Sequence, residues 1–235
     1  MQVNESRYAN LKTIELIAAI LAKTRAELIK QIKAVESYLK TVQIDIMDND
    51  FVPNKTIGLE QLRNLPAGIN YEFHWMVQNP EKFIREIKNK NALHLVHVEA
   101  MMDFEKVKKA VAAVGGKLGI AFNPETSIEK VLEYEKESNY FLAMTVHPGF
   151  SGQKYISEVE DKIKILRERN PEYDIEVDGG INIETIKRAI AAGANRIVAA
   201  SAIFGQKDIS LAIKELEQAA ALAIKARYTR TEVHG

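Results

Sequence analysis

Two carboxylates in this chain are placed to work as a pair. Asp45 lies in Val42-Gln43-Ile44-Asp45-Ile46-Met47-Asp48-Asn49, and Asp178 closes Ile175-Glu176-Val177-Asp178-Gly179-Gly180. Each run alternates as a β-strand does and opens into a turn bearing Asn or Gly. A third run, Tyr71-Glu72-Phe73-His74-Trp75-Met76, carries His74 at its polar position. Two hard oxygen donors and a borderline nitrogen suit a divalent metal ion (Zn2+, Fe2+, Mn2+ or Co2+) with coordination positions left open. Such an ion polarises a carbonyl and a neighbouring hydroxyl and stabilises an enediolate. A carboxylate on each side of that planar species can take a proton from one face and return one to the other. That is the layout of a two-base epimerase. Either aspartate alone could simply cap a turn; the trio together points to chemistry.

These residues need a scaffold that brings strand ends together. Short apolar runs alternate with amphipathic segments along the whole chain. Strands are expected at Glu15–Leu21, Thr41–Met47, Tyr71–Met76, Leu93–Glu99, Lys117–Phe122, Tyr140–Val146, Asp174–Asp178 and Arg196–Ala200. Between the first two, Leu28, Ile32, Val35 and Leu39 make one helical face. Thr126 with Glu129 reads as a capping box for a helix over Ile128–Lys136. Val159, Ile163 and Leu166 form the next stripe. Asn182 is the expected cap and Gly193 the stop of a helix over Ile183–Ala192, and a last helix runs from about Asp208 to Ala226. Eight strand–helix units without a linker predict an α/β fold of the (β/α)8 TIM barrel type, as one domain over residues 1–235. A polar segment at 1–10 and a polar tail at 228–235 are expected to flank it. An open doubly wound sheet is the alternative, but no Gly-x-Gly-x-x-Gly follows the first strand.

In such a barrel the site lies at the C-terminal strand ends. Asp45, Asp48, His74, His97, Glu99, Asn123, His147, Asp178 and Ser201 all fall there. The turns His147-Pro148-Gly149-Phe150-Ser151-Gly152-Gln153 and Gly179-Gly180, with Ala200-Ser201, are expected to cradle a phosphate through backbone N–H groups. Met47, Met76 and Met144 either fill gaps in the core or floor the site beneath a flat intermediate. His97 either touches substrate or is a satisfied buried histidine. Trp75, alternating with His74 and Met76, should face the helices.

Composition narrows the class of function. Among 235 residues, 32 basic and 32 acidic side chains cancel, so neither nucleic acid nor a polybasic membrane surface is indicated. There are no cysteines, which excludes disulfides and thiolate chemistry. No apolar run is long enough to span a membrane, and Met1–Asn10 lacks the apolar core of a signal peptide. A cytoplasmic location is expected.

The same segments carry a family resemblance. Met47-Asp48-Asn49-Asp50-Phe51-Val52-Pro53-Asn54, His74-Trp75-Met76-Val77, His97-Val98-Glu99-Ala100, Gly119-Ile120-Ala121-Phe122-Asn123-Pro124, Met144-Thr145-Val146-His147-Pro148-Gly149-Phe150-Ser151-Gly152-Gln153, Val177-Asp178-Gly179-Gly180-Ile181-Asn182 and Ser201-Ala202-Ile203-Phe204-Gly205 occur in that order. In them the chain resembles the ribulose-phosphate 3-epimerase family. The resemblance implies a ribulose-phosphate-binding barrel with a divalent metal held by a His-x-Asp pair, a second His and an Asp. It further implies two catalytic aspartates, a methionine-lined floor and a phosphate grip. Carried over, Asp45 and Asp178 are metal ligands and the acid/base pair, and His74 is the second histidine ligand. Gly149, Gly152, Gly179, Gly180 and Ser201 lie in the phosphate region, with His97 and His147 beside the substrate. The departures also fall in the site. Gln43 stands at the first metal histidine, where its oxygen is a neutral, poorer donor. Ala19 replaces a substrate-contacting serine, Lys23 and Thr24 replace an Ala-Asp, Asn49 and Ala200 replace glycines, and His147 stands where Asn or Glu is usual. The implied reaction interconverts ribulose 5-phosphate and xylulose 5-phosphate. The alternatives are an epimerase for another sugar phosphate, such as a hexulose 6-phosphate, and a non-catalytic sugar-phosphate-binding homologue. Barrels of this kind often assemble through their outer faces, so a homo-oligomer is expected.

Overall fold

The computed structural model describes residues 13–233, with side chains through residue 226. Eight parallel strands close into a barrel in sequence order: β1 (Glu15–Ile20), β2 (Thr41–Met47), β3 (Asn70–Met76), β4 (Leu93–His97), β5 (Lys117–Phe122), β6 (Tyr140–Met144), β7 (Asp174–Asp178) and β8 (Arg196–Ala199), with β8 pairing back to β1. Around them run α1 (Arg25–Val35), α2 (Pro80–Ile84), α3 (Phe104–Ala113), α4 (Ile128–Leu132), α5 (Val159–Arg169), α6 (Thr185–Ala192), α7 (Ser201–Phe204) and α8 (Ile209–Val233). The expected (β/α)8 TIM barrel is therefore the fold. Only a 3-10 turn, Leu59–Leu62, follows β2. Pro53, Gly58, Pro66 and Gly68 break any helical stripe in that stretch.

Strand alternation decides which residues reach the interior. Along β3, Phe73 and Trp75 face outward into the main apolar core under the helices, where Trp75 lies beside Phe83 and donates its indole N–H to His94 Nδ1 at 3.1 Å. Glu72, His74 and Met76 take the opposite face. β2 is buried along its full length, with Val42, Ile44 and Ile46 in the outer core. Inside the barrel, Leu93, Leu95, Ala121, Leu142, Met144 and Val146 form one apolar cluster, and Ile17, Ala19 and Val198 another.

At the N-terminal strand ends the interior is closed by charge. Arg196 donates to Glu15 Oε2 at 2.6 Å, to Glu176 Oε2 at 2.9 Å and, more closely still, to Glu72 Oε1. Burial raises the carboxyl pKa of both Glu72 and Glu176, against the attraction of the guanidinium. Burial would lower the Arg196 pKa, but the three carboxylates raise it.

β1, β4, β6 and β8 stop at Ile20, His97, Met144 and Ala199, one or two residues short of expectation, and helix ends shift as well. Thr126 does not open α4; Ser127 is its cap, accepting from Lys130 N, and the Thr126 hydroxyl is drawn to Glu99 instead. α4 stops at Leu132, short of Lys136. α8 continues through Val233 and so takes in most of the stretch read as a polar tail, because no Pro or Gly interrupts it before Gly235. α6 starts at Thr185 rather than Ile183, with Glu184 at its N-cap position; Asn182 accepts from Glu184 N and Thr185 N in the turn before it, and Gly193 ends the helix with φ 125°. Residues 1–10 lie outside the described part. Among the described residues no helix is long and apolar enough to cross a membrane.

Candidate functional site

The ring brings β2, β3 and β7 to one end of the barrel, and three side chains meet there. Single donor atoms of Asp45, His74 and Asp178 lie within 4.8 Å of one another, close enough to hold a metal ion together. His74 Nδ1 is 3.0 Å from Asp45 Oδ1 and 3.7 Å from Asp178 Oδ2. The fourth member is Gln43, two residues before Asp45 on the same face of β2. Its Nε2 donates to Asp45 Oδ1 at 2.8 Å and to Asp178 Oδ2 at 2.7 Å, and lies 3.4 Å from His74 Nδ1. The other end of that carboxamide, Oε1, is buried without a hydrogen-bond partner. Turned over, the amide would aim this oxygen at the same point, as a fourth donor beside two carboxylates and an imidazole. The residues present therefore fit a divalent cation, with Gln43 able to face it through oxygen.

Burial sets the protonation of this group. Asp45 is raised to about 7 by desolvation, against the Gln43 hydrogen bond and the pull of His97. Asp178 is raised to about 7, chiefly by burial and next by the Asp45 charge. His74 is lowered to about 4 by burial, so its ring is neutral at physiological pH. A carboxyl that holds its proton up to neutrality must release it to bind a cation. Divalent-metal affinity should accordingly rise between pH 6 and pH 8, by up to about tenfold per pH unit for each proton released. Co2+ titrations at three pH values would measure this. A flat profile would mean both carboxyls are already ionised at pH 6.

Backbone locks aim these side chains. Thr56 Oγ1 donates to Asp45 O at 2.7 Å and accepts from Met47 N at 2.9 Å, fixing the end of β2. After β7, Thr145 Oγ1 holds Gly179 O at 2.6 Å and Thr185 Oγ1 holds Gly180 O at 2.9 Å. Gly180 has φ 64°, and a Cβ there would meet Tyr155 N at 2.6 Å, so only glycine lets this turn lie so close to the next loop. Asp48, a polar strand-end residue, is a turn anchor, accepting from Asp50 N, Phe51 N and Gln78 N.

A cavity opens above the carboxylates. Asp45 and Asp178 lie on its wall with Met47, Met76 and Met144, and Gly149, Gly152, Gly179, Gly180 and Ser201 line it as well. Leu21, Val146 and Ile181 are wall residues that sequence reasoning did not single out. The loop after β6 is braced: Gln153 Nε2 donates to His147 O at 2.6 Å and Phe150 O at 2.9 Å, and Asn54 Nδ2 to Gly149 O at 2.6 Å.

Two histidines lie elsewhere. His147 turns outward, 64% exposed, and pairs with Glu125 at 3.2 Å. His97 is fully buried beneath the cavity, with its Nε2 2.8 Å from His74 Nε2 and its Nδ1 3.2 Å from Glu99 Oε2. Glu99 was the residue least developed from sequence. It lies in the turn just beyond β4, and its i, i+2 spacing from His97 is the signal that links the two.

Comparison with known proteins gives the family. Residues 15–204 match the model of the Ribulose-phosphate 3 epimerase family. The ribulose-phosphate 3-epimerase of Methanocaldococcus jannaschii is 38% identical over 223 residues, covering 90% of this chain and 93% of that protein. That of Bacillus subtilis is 37% identical, covering 86% and 98%. Among solved structures, 3-hexulose-6-phosphate synthase from Salmonella typhimurium superposes with a TM-score of 0.69 at 13% identity, covering 89% of this chain and all of that one; this likeness is of fold alone. With the paired carboxylates and the motif order already in place, these matches make the chain a member of the ribulose-phosphate 3-epimerase family, a family of isomerases.

Proposed function

We infer that this protein epimerises a ketose phosphate next to its carbonyl, with ribulose 5-phosphate and xylulose 5-phosphate as the pair of substrates. The observation that carries the reading is the convergence of Asp45 and Asp178 on one buried point under a glycine-lined cavity. In the strand ring β1 and β8 stand between β2 and β7, so the two carboxyls approach that point from separate directions. One carboxylate removes the proton from the carbon beside the carbonyl, and the electron pair moves onto the carbonyl oxygen to give a planar enediolate. The other carboxyl returns a proton to the opposite face, inverting the centre. Both groups titrate near 7, so one can be ionised while the other is protonated at neutral pH. Asp45, His74, Asp178 and the Gln43 oxygen would hold a divalent cation, which supplies a Lewis acid for the carbonyl. The methionines give the sugar carbons an apolar floor. The Gly152 and Gly179-Gly180 turns with Ser201 receive the phosphate.

The test is epimerisation of ribulose 5-phosphate with metal content measured on the same sample. Turnover that is lost on chelation and restored by a divalent ion supports the reading; no turnover in metal-loaded protein removes it. Gln43→His should tighten divalent-metal binding on the order of tenfold or more, since imidazole is the better donor to a borderline ion. Unchanged affinity would show that position 43 does not reach the ion. A different sugar phosphate is the second reading. It is favoured by the first strand unit, where Ala19 is buried in an apolar cluster and Leu21, just past β1, lines the cavity, neither offering a hydroxyl. A panel of pentulose and hexulose phosphates separates the two.

A further inference from the structure

Beneath the paired carboxylates the hydrogen bonds form one chain: Asp45 to His74, His74 to His97, His97 to Glu99. A neutral imidazole has one N–H and one lone pair, so the proton order in such a chain is fixed by its end. Here the end is Glu99. Its Oε1 accepts from Asn123 N at 3.0 Å, a donor that cannot reverse, and from the Thr126 hydroxyl at closer range. The Lys162 ammonium lies next to this group, donating at 2.5 Å to both Pro124 O and Thr126 O. Burial works against a charge on Glu99, but the hydrogen bonds from His97, Thr126 and Asn123 N hold its carboxyl below the usual carboxylate range. With two donors on Oε1 and an ammonium on the adjoining carbonyls, Glu99 is ionised and presents Oε2 to His97 as an acceptor.

The order then follows atom by atom. His97 Nδ1 must carry a proton to meet Glu99 Oε2 at 3.2 Å, leaving His97 Nε2 as a lone pair. His74 Nε2, at 2.8 Å from it, must donate, which leaves His74 Nδ1 bare. Both rings have no exposed surface, so a second proton on either would be a buried charge without solvent.

We propose that Glu99 and His97 are positioning residues that hold His74 in its Nε2–H tautomer, so that the Nδ1 lone pair faces the point where Asp45 and Asp178 converge. Only that tautomer lets His74 donate electrons to a cation there, and a reversed chain would fill the same point with an N–H. The 3.0 Å contact between His74 Nδ1 and Asp45 Oδ1 is then closed by a proton on the carboxyl or by a cation between the two. The inference rests on the reading of Asp45, His74 and Asp178 as the working centre, and it is tested without substrate.

The experiment is long-range 1H–15N correlation on metal-free protein with 15N-labelled histidine at neutral pH, with His74 assigned from the spectrum of a His74→Gln variant. In the wild type, His74 should be protonated at Nε2 and bare at Nδ1, and His97 the reverse. Glu99→Gln keeps the shape but turns an amide N–H toward His97. It should reverse both tautomers and weaken Co2+ binding, read by visible absorption, by about 10–100-fold. A wild-type His74 protonated at Nδ1 overturns the proposal whatever the variant does. So does a Glu99→Gln protein with unchanged tautomers and unchanged Co2+ affinity. A reversed wild-type tautomer in a protein that still epimerises would sink this inference and leave the proposed function standing. The expected tautomers in a metal-loaded protein without turnover would do the opposite.

Discussion

Asp178→Asn should lower epimerisation on the order of 10³-fold or more while leaving the protein folded. The carboxamide fills the same space and can still accept from Gln43 Nε2, which now sits 2.7 Å from Asp178 Oδ2. It cannot ionise, so it can neither remove a proton from the substrate nor keep one for return, and it is a weaker donor to a cation. Stability should move the other way. The folded-state pKa of Asp178 is raised, to about 7, so the native state holds a proton that the unfolded chain releases near pH 4. Between about pH 4 and pH 7 the unfolded carboxyl ionises while the buried one keeps its proton, so stability falls as pH rises, and asparagine removes that cost. Steady-state rates and melting curves at pH 8 check both halves. Turnover within tenfold of wild type would take Asp178 out of the acid/base pair. Lost turnover with a collapsed melting curve would show a structural role instead.

Arg196→Met should cost about 3–5 kcal/mol of stability near neutral pH. The guanidinium is 12% exposed, and its partners Glu72 and Glu176 are 3% and 2% exposed. Methionine fills much of the volume but leaves two carboxyls facing each other without a counter-charge. Their pKa values, already raised by burial, must rise further. The folded variant then binds protons that the unfolded chain does not, and its stability falls as pH rises above the unfolded glutamate range of about 4.3. The deficit should be largest at pH 8 and shrink toward pH 5. Urea unfolding at the two pH values measures it. A deficit below about 1 kcal/mol at pH 8 would mean that water solvates these carboxylates well enough to replace the arginine.

The two predictions separate the ends of the barrel. At the C-terminal end Asp45 and Asp178 face the neutral Gln43 and His74, and burial lifts both carboxyls to about 7. At the N-terminal end buried glutamates are paired with an arginine and close the interior. A carboxylate facing inward therefore says little about chemistry by itself; its partners decide.

Much of this was legible in the sequence because a strand has a period of two. Gln43, Asp45 and Met47 share one face of their run, and Glu72, His74 and Met76 share another, so inward-pointing sets could be read before any fold was known. Trp75 between His74 and Met76 had to face the helices, and it does. Eight such runs separated by helical stripes fixed the barrel, and with it the end where a site could lie. The motif order carried the family. Local pattern stops at the choice of face. It does not give distances between residues far apart in the chain, and Gln43 meets Asp178 across 135 positions only because the ring closes. Nor does it settle competition between partners. Thr126 has the spacing of a helix cap, yet its hydroxyl donates to the part-buried Glu99, and Ser127 caps α4 in its place. His97 and His147 look alike at their strand ends; one is enclosed between His74 and Glu99, the other turns to Glu125 at the surface. The residue types and their faces came from the sequence. Which of them touch, and in which protonation state, was decided by the closed barrel, because burial and hydrogen-bond partners are properties of the packed interior.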